Sequence, residues 1–310
     1  MLSKMPFDQL PAEIRQRIAS YSELHDLFTL ARVSRSWRSF IHSHAVRLPK
    51  YEISSLRIEQ FDYVRFKFKA NAVRVRDNKA TQIKIYYFRT TNDLDLFLKF
   101  IRVKKSLYIR LSSEINLQES ICKACKEIDT ITFVPDSRQR TEGQCVGINY
   151  LSQISAGLPN INNFMLEDMS DCCNEDAYKI FTTVKDPLFI EVRSGISNSK
   201  LRITDETLRH LTSLNQEMDC IVLSTDCTQF SLKAVREFLT NAQFRDNGLL
   251  ELFYIDCTTN DFFQLLSNMR ISFESEPVRG IYNSFPINLR GKRVCLNIKY
   301  LRTQHDKPNR

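Results

Sequence analysis

Glycine and proline are scarce in this 310-residue chain, at 7 and 9 residues. Their scarcity excludes collagen-like, fibrous and linker-like classes, which are built from those two residues. Long apolar runs are missing as well. The stretch Ile83–Phe88 is interrupted by Lys84 and falls far short of the ~20 residues that a membrane-crossing helix needs. Met1–Leu10 has no apolar core of signal-peptide length, so a cytoplasmic or nuclear setting with no membrane partner is expected. On that expectation the nine cysteines, an odd number, are reduced thiols. The Gly-x-x-x-x-Gly-Lys and Gly-x-Gly-x-x-Gly loops that cradle phosphates do not occur, nor do Gly-x-Ser-x-Gly or His-Glu-x-x-His. These absences assign no catalytic residue, no cofactor and no metal.

What is present is enough for one or two globular domains: 43% of the residues are hydrophobic and 26% are charged. A chain of this length buries roughly three quarters of its unfolded surface and needs no disulfide or metal staple. The formal charge of +8 is uneven. Residues 1–50 carry 8 Lys/Arg against 4 Asp/Glu, and residues 51–111 carry 14 against 6; the remainder is net acidic. A basic N-terminal third invites a nucleic-acid or acidic-surface partner for residues 57–110. In Tyr63–Lys69, however, Val64, Phe66 and Phe68 alternate with Arg65, Lys67 and Lys69, the period-two mark of a strand with one wet face. Val73–Arg76 and Ile83–Tyr87 repeat the alternation, with apolar residues expected inward and charges outward. No base-reading motif accompanies the charge, so nucleic acid is the weaker alternative.

The first fifty residues spell three short amphipathic helices. Pro11 suits a first turn and Glu13 suits the positive end of a helix dipole, while Leu10, Ile14 and Ile18 form one stripe. Leu24, Leu27, Phe28, Leu30 and Ala31 follow Ser22, a cap candidate, and Ser34 can cap a third helix bearing Trp37, Phe40 and Ile41. Three such helices in about 35 residues cannot enclose a core alone and should need a partner.

The order Leu10-Pro11-x-Glu13-Ile14, Ile18, Asp26-Leu27, Leu30, Val33-Ser34-Arg35-x-Trp37-Arg38, with Phe7 ahead of it, resembles an F-box. The resemblance covers about 40 residues, and 1–48 is taken as the domain. It implies binding to the Skp-type adaptor of a cullin–RING ubiquitin ligase, with a separate C-terminal domain capturing a protein substrate. Carried over by position, Phe7, Leu10, Pro11, Ile14, Val33 and Trp37 would face the adaptor or shape that face, and Ile18, Leu27 and Leu30 would pack the helices together. The chain would then be a non-catalytic substrate receptor.

The remainder alternates between strand and helix. Strands are predicted at 107–111, 129–134, 163–166, 188–192, 220–223, 250–255 and 293–298, with helices at 114–126, 147–156, 174–184, 205–215, 231–242 and 259–269. Most strands are separated by about 22–34 residues, the spacing of a solenoid whose units bury their apolar faces only by stacking. The fold class is therefore α/β: a three-helix F-box followed by an irregular βα solenoid over 51–302 and a flexible tail over 303–310. The solenoid resembles degenerate leucine-rich repeats without a clean repeat signature, although Cys227 and Cys257 sit near where that family often places Asn or Cys. Residues 194–202 read as an exposed loop.

Three clusters admit chemistry. Cys122-x-x-Cys125 has zinc-site spacing but falls in a helix with no histidine near it in sequence, which favours buried thiols, and Cys172-Cys173 lacks the matching spacing. His42 and His44 read as helix-end surface residues. Glu167, Asp168, Asp171, Glu175 and Asp176 could serve a hydrolase, or a solvated loop and helix start, depending on whether one pocket joins them.

Overall fold

A computed structural model describes residues 7–62, 67–76, 80–111, 116–135, 148–167, 181–183, 188–193, 203–224, 228–273 and 282–300. Tyr63–Phe66, most of the 174–184 helix, Cys172, Cys173, Cys227, the 194–202 loop, the 303–310 tail and all the clustered acids except Glu167 lie outside the described residues.

A 3-10 turn (Phe7–Gln9) leads into α1 (Ala12–Tyr21), α2 (Leu24–Val33) and α3 (Arg35–His44). Next come β1 (Tyr51–Asp62), β2 (Lys67–Arg76), β3 (Ala80–Phe88), α4 (Thr91–Phe100) and β4 (Ile101–Leu111). Alternation then takes over with α5 (Gln118–Ala124), β5 (Thr130–Pro135), α6 (Ile148–Ala156), β6 (Asn163–Glu167) and β7 (Phe189–Arg193). The chain continues through α7 (Asp205–Ser213), β8 (Glu217–Ser224), α8 (Leu232–Asn241), β9 (Gln243–Ile255), α9 (Thr259–Asn268), β10 (Tyr282–Leu289) and β11 (Lys292–Tyr300).

The described strands form one mixed 11-stranded sheet in the order β10-β11-β9-β8-β7-β6-β5-β4-β1-β2-β3. Its middle is parallel and follows chain order from β4 to β9, while β2–β3 and β10 add antiparallel pairs at the two ends. Register aligns one apolar residue per parallel strand into an unbroken row: Leu56, Leu107, Ile131, Phe164, Ile190, Ile221, Leu250 and Leu296. A second row runs two residues further on from Ile58 to Ile298, and both rows are buried. The period-two alternation that wrote these strands thus puts one residue of each pair into a single continuous core. Helix stripes cover it, among them Leu208 and Leu211 of α7, Val235 and Phe238 of α8, and Phe262 and Leu266 of α9.

Every strand read from the 107–298 alternation is present, with ends moved by a few residues. Five described features go unread: β1, the first halves of β4 and β9, β10, and α4. Register shifts between Ile53 and Ser55 and between Gln60 and Asp62 break the alternation in β1. In α4, Leu94, Leu96, Phe97, Leu98 and Phe100 are all buried, so the helix is apolar around most of its girth and shows no stripe.

One expectation is inverted. Alternation predicts Ile83 and Ile85 inward and Lys84 outward, yet Ile83 and Ile85 are 60% and 50% exposed, whereas Tyr86 packs on the core beside Phe97 at 5.0 Å. Both faces of β3 carry apolar residues, so alternation leaves the phase open; Tyr86 and the buried Phe88 fix it by packing on α4. In β2, Phe68, Ala70 and Ala72 are buried and turn Val73 to the opposite face.

Candidate functional site

Two cap arrangements set the helix trio. Ser34 ends α2 by donating its N–H to Leu30 O at 3.2 Å, and begins α3 by accepting from Trp37 N at 3.2 Å. Glu23 and Asp26 form a reciprocal capping box at the start of α2. Arg15 then ties the pieces together: its Nε donates to Leu10 O at 2.7 Å, its Nη1 donates to Ser36 Oγ at 2.8 Å, and its guanidinium lies 5.7 Å from the Phe40 ring. These bonds hold the first turn of α1 beside the α2–α3 junction.

The trio closes against the rest of the chain on one side. Phe28 of α2 meets Phe88, Phe97 and Phe100 at ring separations of 6.0–6.2 Å. Lys84 pairs with Glu23 at 3.0 Å, Arg32 donates to Tyr87 O at 3.4 Å, and the Tyr51 hydroxyl donates to Ser22 O. Lys50 donates to Ala45 O at 3.1 Å and to Lys99 O, bridging the C-terminal ends of α3 and α4; burial, with Arg102 nearby, lowers its pKa. The expected partner for this small unit is therefore, in part, the chain's own α4 and β3.

The other side stays open. Phe7 is 50% exposed, Ile14 45% and Val33 74%; Pro11 is exposed and Leu10 half-buried. Trp37 lies beneath this surface and is fully buried, with Phe7 stacked on it at 5.1 Å and Phe40 edge-on at 5.8 Å. It shapes the face from below, because the stacked Phe7 ring intervenes between the indole and solvent. Leu27 is buried, while Ile18 and Leu30 are half-buried against the core, as helix-packing positions. Tyr21 and Val46 are also strongly exposed, and sequence spacing did not single them out.

The remaining candidates separate from this surface. Cys122 lies on α5 and Cys125 caps its C-terminal end; Cys125 is buried and its thiol pKa is pushed up by desolvation, while Cys122 donates to Ile154 O at 3.6 Å. No group of three or more potential metal ligands occurs among the described residues. His42 is exposed, and His44 stacks on Phe40 at 4.3 Å with Nδ1 3.0 Å from Phe40 O. Glu167 ends β6 exposed, the one member of the acid cluster within the described residues. A cleft of about 640 Å³ lies between α4 and α5, bordered by Val46 and Lys50 after α3, and within it Asp95 pairs with Lys99 at 2.6 Å and Glu119 with Lys123. Of the basic strand residues, Arg57 pairs with Glu59 at 2.8 Å and lies 4.1 Å from the Tyr108 ring centroid, and Lys104 pairs with Glu52 and Glu127. No described helix is long and apolar enough to cross a membrane.

Residues 7–46 match the F-box-like family model. No curated protein and no solved structure matches the chain. The match coincides with the helix trio and ends two residues past α3. Residues 7–46 are thus an F-box-like domain, of the kind that typically binds Skp1-type adaptors within cullin–RING ligases, and the domain suggests a ubiquitin-ligase substrate receptor.

Proposed function

We propose that this chain is the non-catalytic substrate-recognition subunit of a Skp–cullin–F-box ubiquitin ligase, working in the cytoplasm or nucleus. Its helix trio holds the Skp-type adaptor through Phe7, Leu10, Pro11, Ile14 and Val33, with Trp37 supporting them from below. The βα region, a solenoid resembling degenerate leucine-rich repeats, holds a protein target. The observation that carries this reading is the open face itself: residues that match an F-box-like model keep apolar side chains in solvent although the same helices are sealed on their other side. Apolar anchors at helical spacing around an aromatic suit a helix-in-groove contact. Chain-order parallel strands joined by helices, with two apolar rows running through them, support the stacked-repeat description.

The mechanism is proximity. Fixing target and ubiquitin-charged subunits on one scaffold makes a bimolecular encounter effectively unimolecular, so the chain needs no nucleophile, metal or cofactor. Purified Skp-type adaptor is expected to co-elute with the full chain, and Leu10→Ala combined with Pro11→Ala is expected to abolish co-elution while the circular dichroism stays native. Undiminished co-elution of that variant would remove the proposal.

A further inference from the structure

The end of the sheet opposite β3 carries an open pocket of about 510 Å³, set between the C-terminal ends of α8 and α9 and the β10–β11 turn. Arg236, Arg270 and Arg290 line it, and no acid does so among the described residues. Other cations of α8, β9 and β11 are neutralised: Lys233 pairs with Glu237 at 4.0 Å, Arg245 with Asp219 at 3.2 Å and Lys292 with Glu217 at 3.9 Å. The pocket arginines are left without an acid. Arg290 Nη1 donates to Asn241 O at 3.4 Å, a long bond at the end of α8, while the guanidinium groups of Arg236 and Arg270 make no hydrogen bond or ion pair with the described residues.

Backbone geometry makes two of these arginines unfavourable choices. Arg270 (φ 56°) follows α9 in a Schellman closure, its N–H donating to Ser267 O and the Ile271 N–H to Leu266 O, both at 3.0 Å. Arg290 (φ 55°) and Gly291 (φ 82°) form the two-residue turn between β10 and β11. Both arginines therefore hold the left-handed conformation, which glycine and asparagine adopt at lower cost. Two of the chain's other positive-φ positions, 215 and 247, carry asparagine. Helix-end carbonyls favour a nearby cation, but the one carbonyl contact here accounts for a single guanidinium.

We propose that this pocket binds a phosphate-type oxyanion. Guanidinium forks donate in pairs to phosphoryl oxygens, and three of them around one acid-free pocket match a group with several charged acceptor oxygens better than a lone carboxylate. Asn288 also lines the pocket; its Oδ1 accepts from Gly291 N at 2.8 Å, which leaves its amide N–H groups as further donors. The inference does not rest on adaptor binding, since the helix trio packs at the other end of the sheet.

The test titrates the full chain with inorganic pyrophosphate in a calorimeter. Saturable binding is expected, weakened about tenfold or more by Arg270→Asn combined with Arg290→Asn. The urea midpoint of that variant should hold or rise, because asparagine suits both backbone positions. Arginines that serve stability alone would give the reverse, a lowered midpoint with binding unmoved, and that result would overturn the inference. Competition then separates the sources of the anion. Displacement of pyrophosphate by a phosphoserine peptide, and not by its unphosphorylated form, supports the site with a protein side chain as its ligand; displacement by inorganic phosphate alone supports it with a free small anion. No saturable binding would overturn the inference, as would displacement by a single-stranded oligonucleotide alone, since the arginines would then belong to a nucleic-acid surface. Adaptor co-elution measures the F-box reading separately.

Discussion

The helix trio and the βα sheet use one sequence device, apolar residues at helical spacing, and end with opposite outcomes. In α7, α8 and α9 the stripes are buried against the sheet, whereas in α1 and at the end of α2 Ile14 and Val33 remain in solvent. A stripe is closed by whatever lies opposite it. The sheet region supplies its own strands, and the trio is closed by α4 and β3 on the Phe28 side alone. The difference teaches where the trio's stripe is left unclosed, since the same chain closes such stripes against its own strands elsewhere.

Substitutions can break that contrast, beginning where the effect is greatest. Phe97 is fully buried where α4 meets Phe28, Tyr86 and Phe88, so Phe97→Ala is expected to cost about 3–5 kcal/mol in urea unfolding and to disturb both regions. Trp37 is the chain's single tryptophan, so its fluorescence reports the trio while far-ultraviolet dichroism reports the whole. Coincident shifts of both transitions would show that α4 couples the two regions. Gly157→Ala acts within the sheet region alone. An added Cβ would lie 2.4 Å from Cys122 Sγ, and a loss of about 1–3 kcal/mol is expected, recovered in large part by Cys122→Ala. Ser34→Ala removes a cap within the trio and should lower stability by roughly 1 kcal/mol, read most clearly in the Trp37 fluorescence.

Smaller effects sharpen the contrast. His210 of α7 sits half-buried with Nε2 3.0 Å from Phe181 O, and its pKa is lowered, mainly by desolvation and against that hydrogen bond. The folded chain thus protonates this group less readily than the unfolded chain. Its contribution to stability is complete above the ordinary value of about 6.5 and falls as pH drops through and below it. Urea midpoints at pH 7.5 and 5.5 should separate less in His210→Gln than in the native chain. The smallest change in stability, within about 0.5 kcal/mol, is expected for Ile14→Ala and Val33→Ala, because neither side chain is buried.

Much of this was legible in the residues. Alternation locates the parallel strands from 107 onward, though not the antiparallel edge strand β10, because the register rows demand one apolar residue facing the helices at every second position. The F-box-like segment was legible because its residue types recur at fixed offsets, and the same segment matches the family model. What escaped has identifiable causes. Register shifts hid β1, and an apolar circumference hid α4. The phase of β3 was not decidable locally, because contact with Phe97, residues away in α4, chooses between two apolar faces. The depth of Trp37 was hidden likewise: offsets name the residue, but only the stacked Phe7 ring reveals that the indole supports the surface from below.

The most direct measurement of the central claim is hydrogen–deuterium exchange of the full chain with and without purified Skp-type adaptor. Protection concentrated in Phe7–Ile14 and around Val33–Trp37, with exchange across β5 to β9 unchanged, is the predicted result. Protection that spares those helices, or no protection at adaptor concentrations that saturate an established F-box protein, would contradict it.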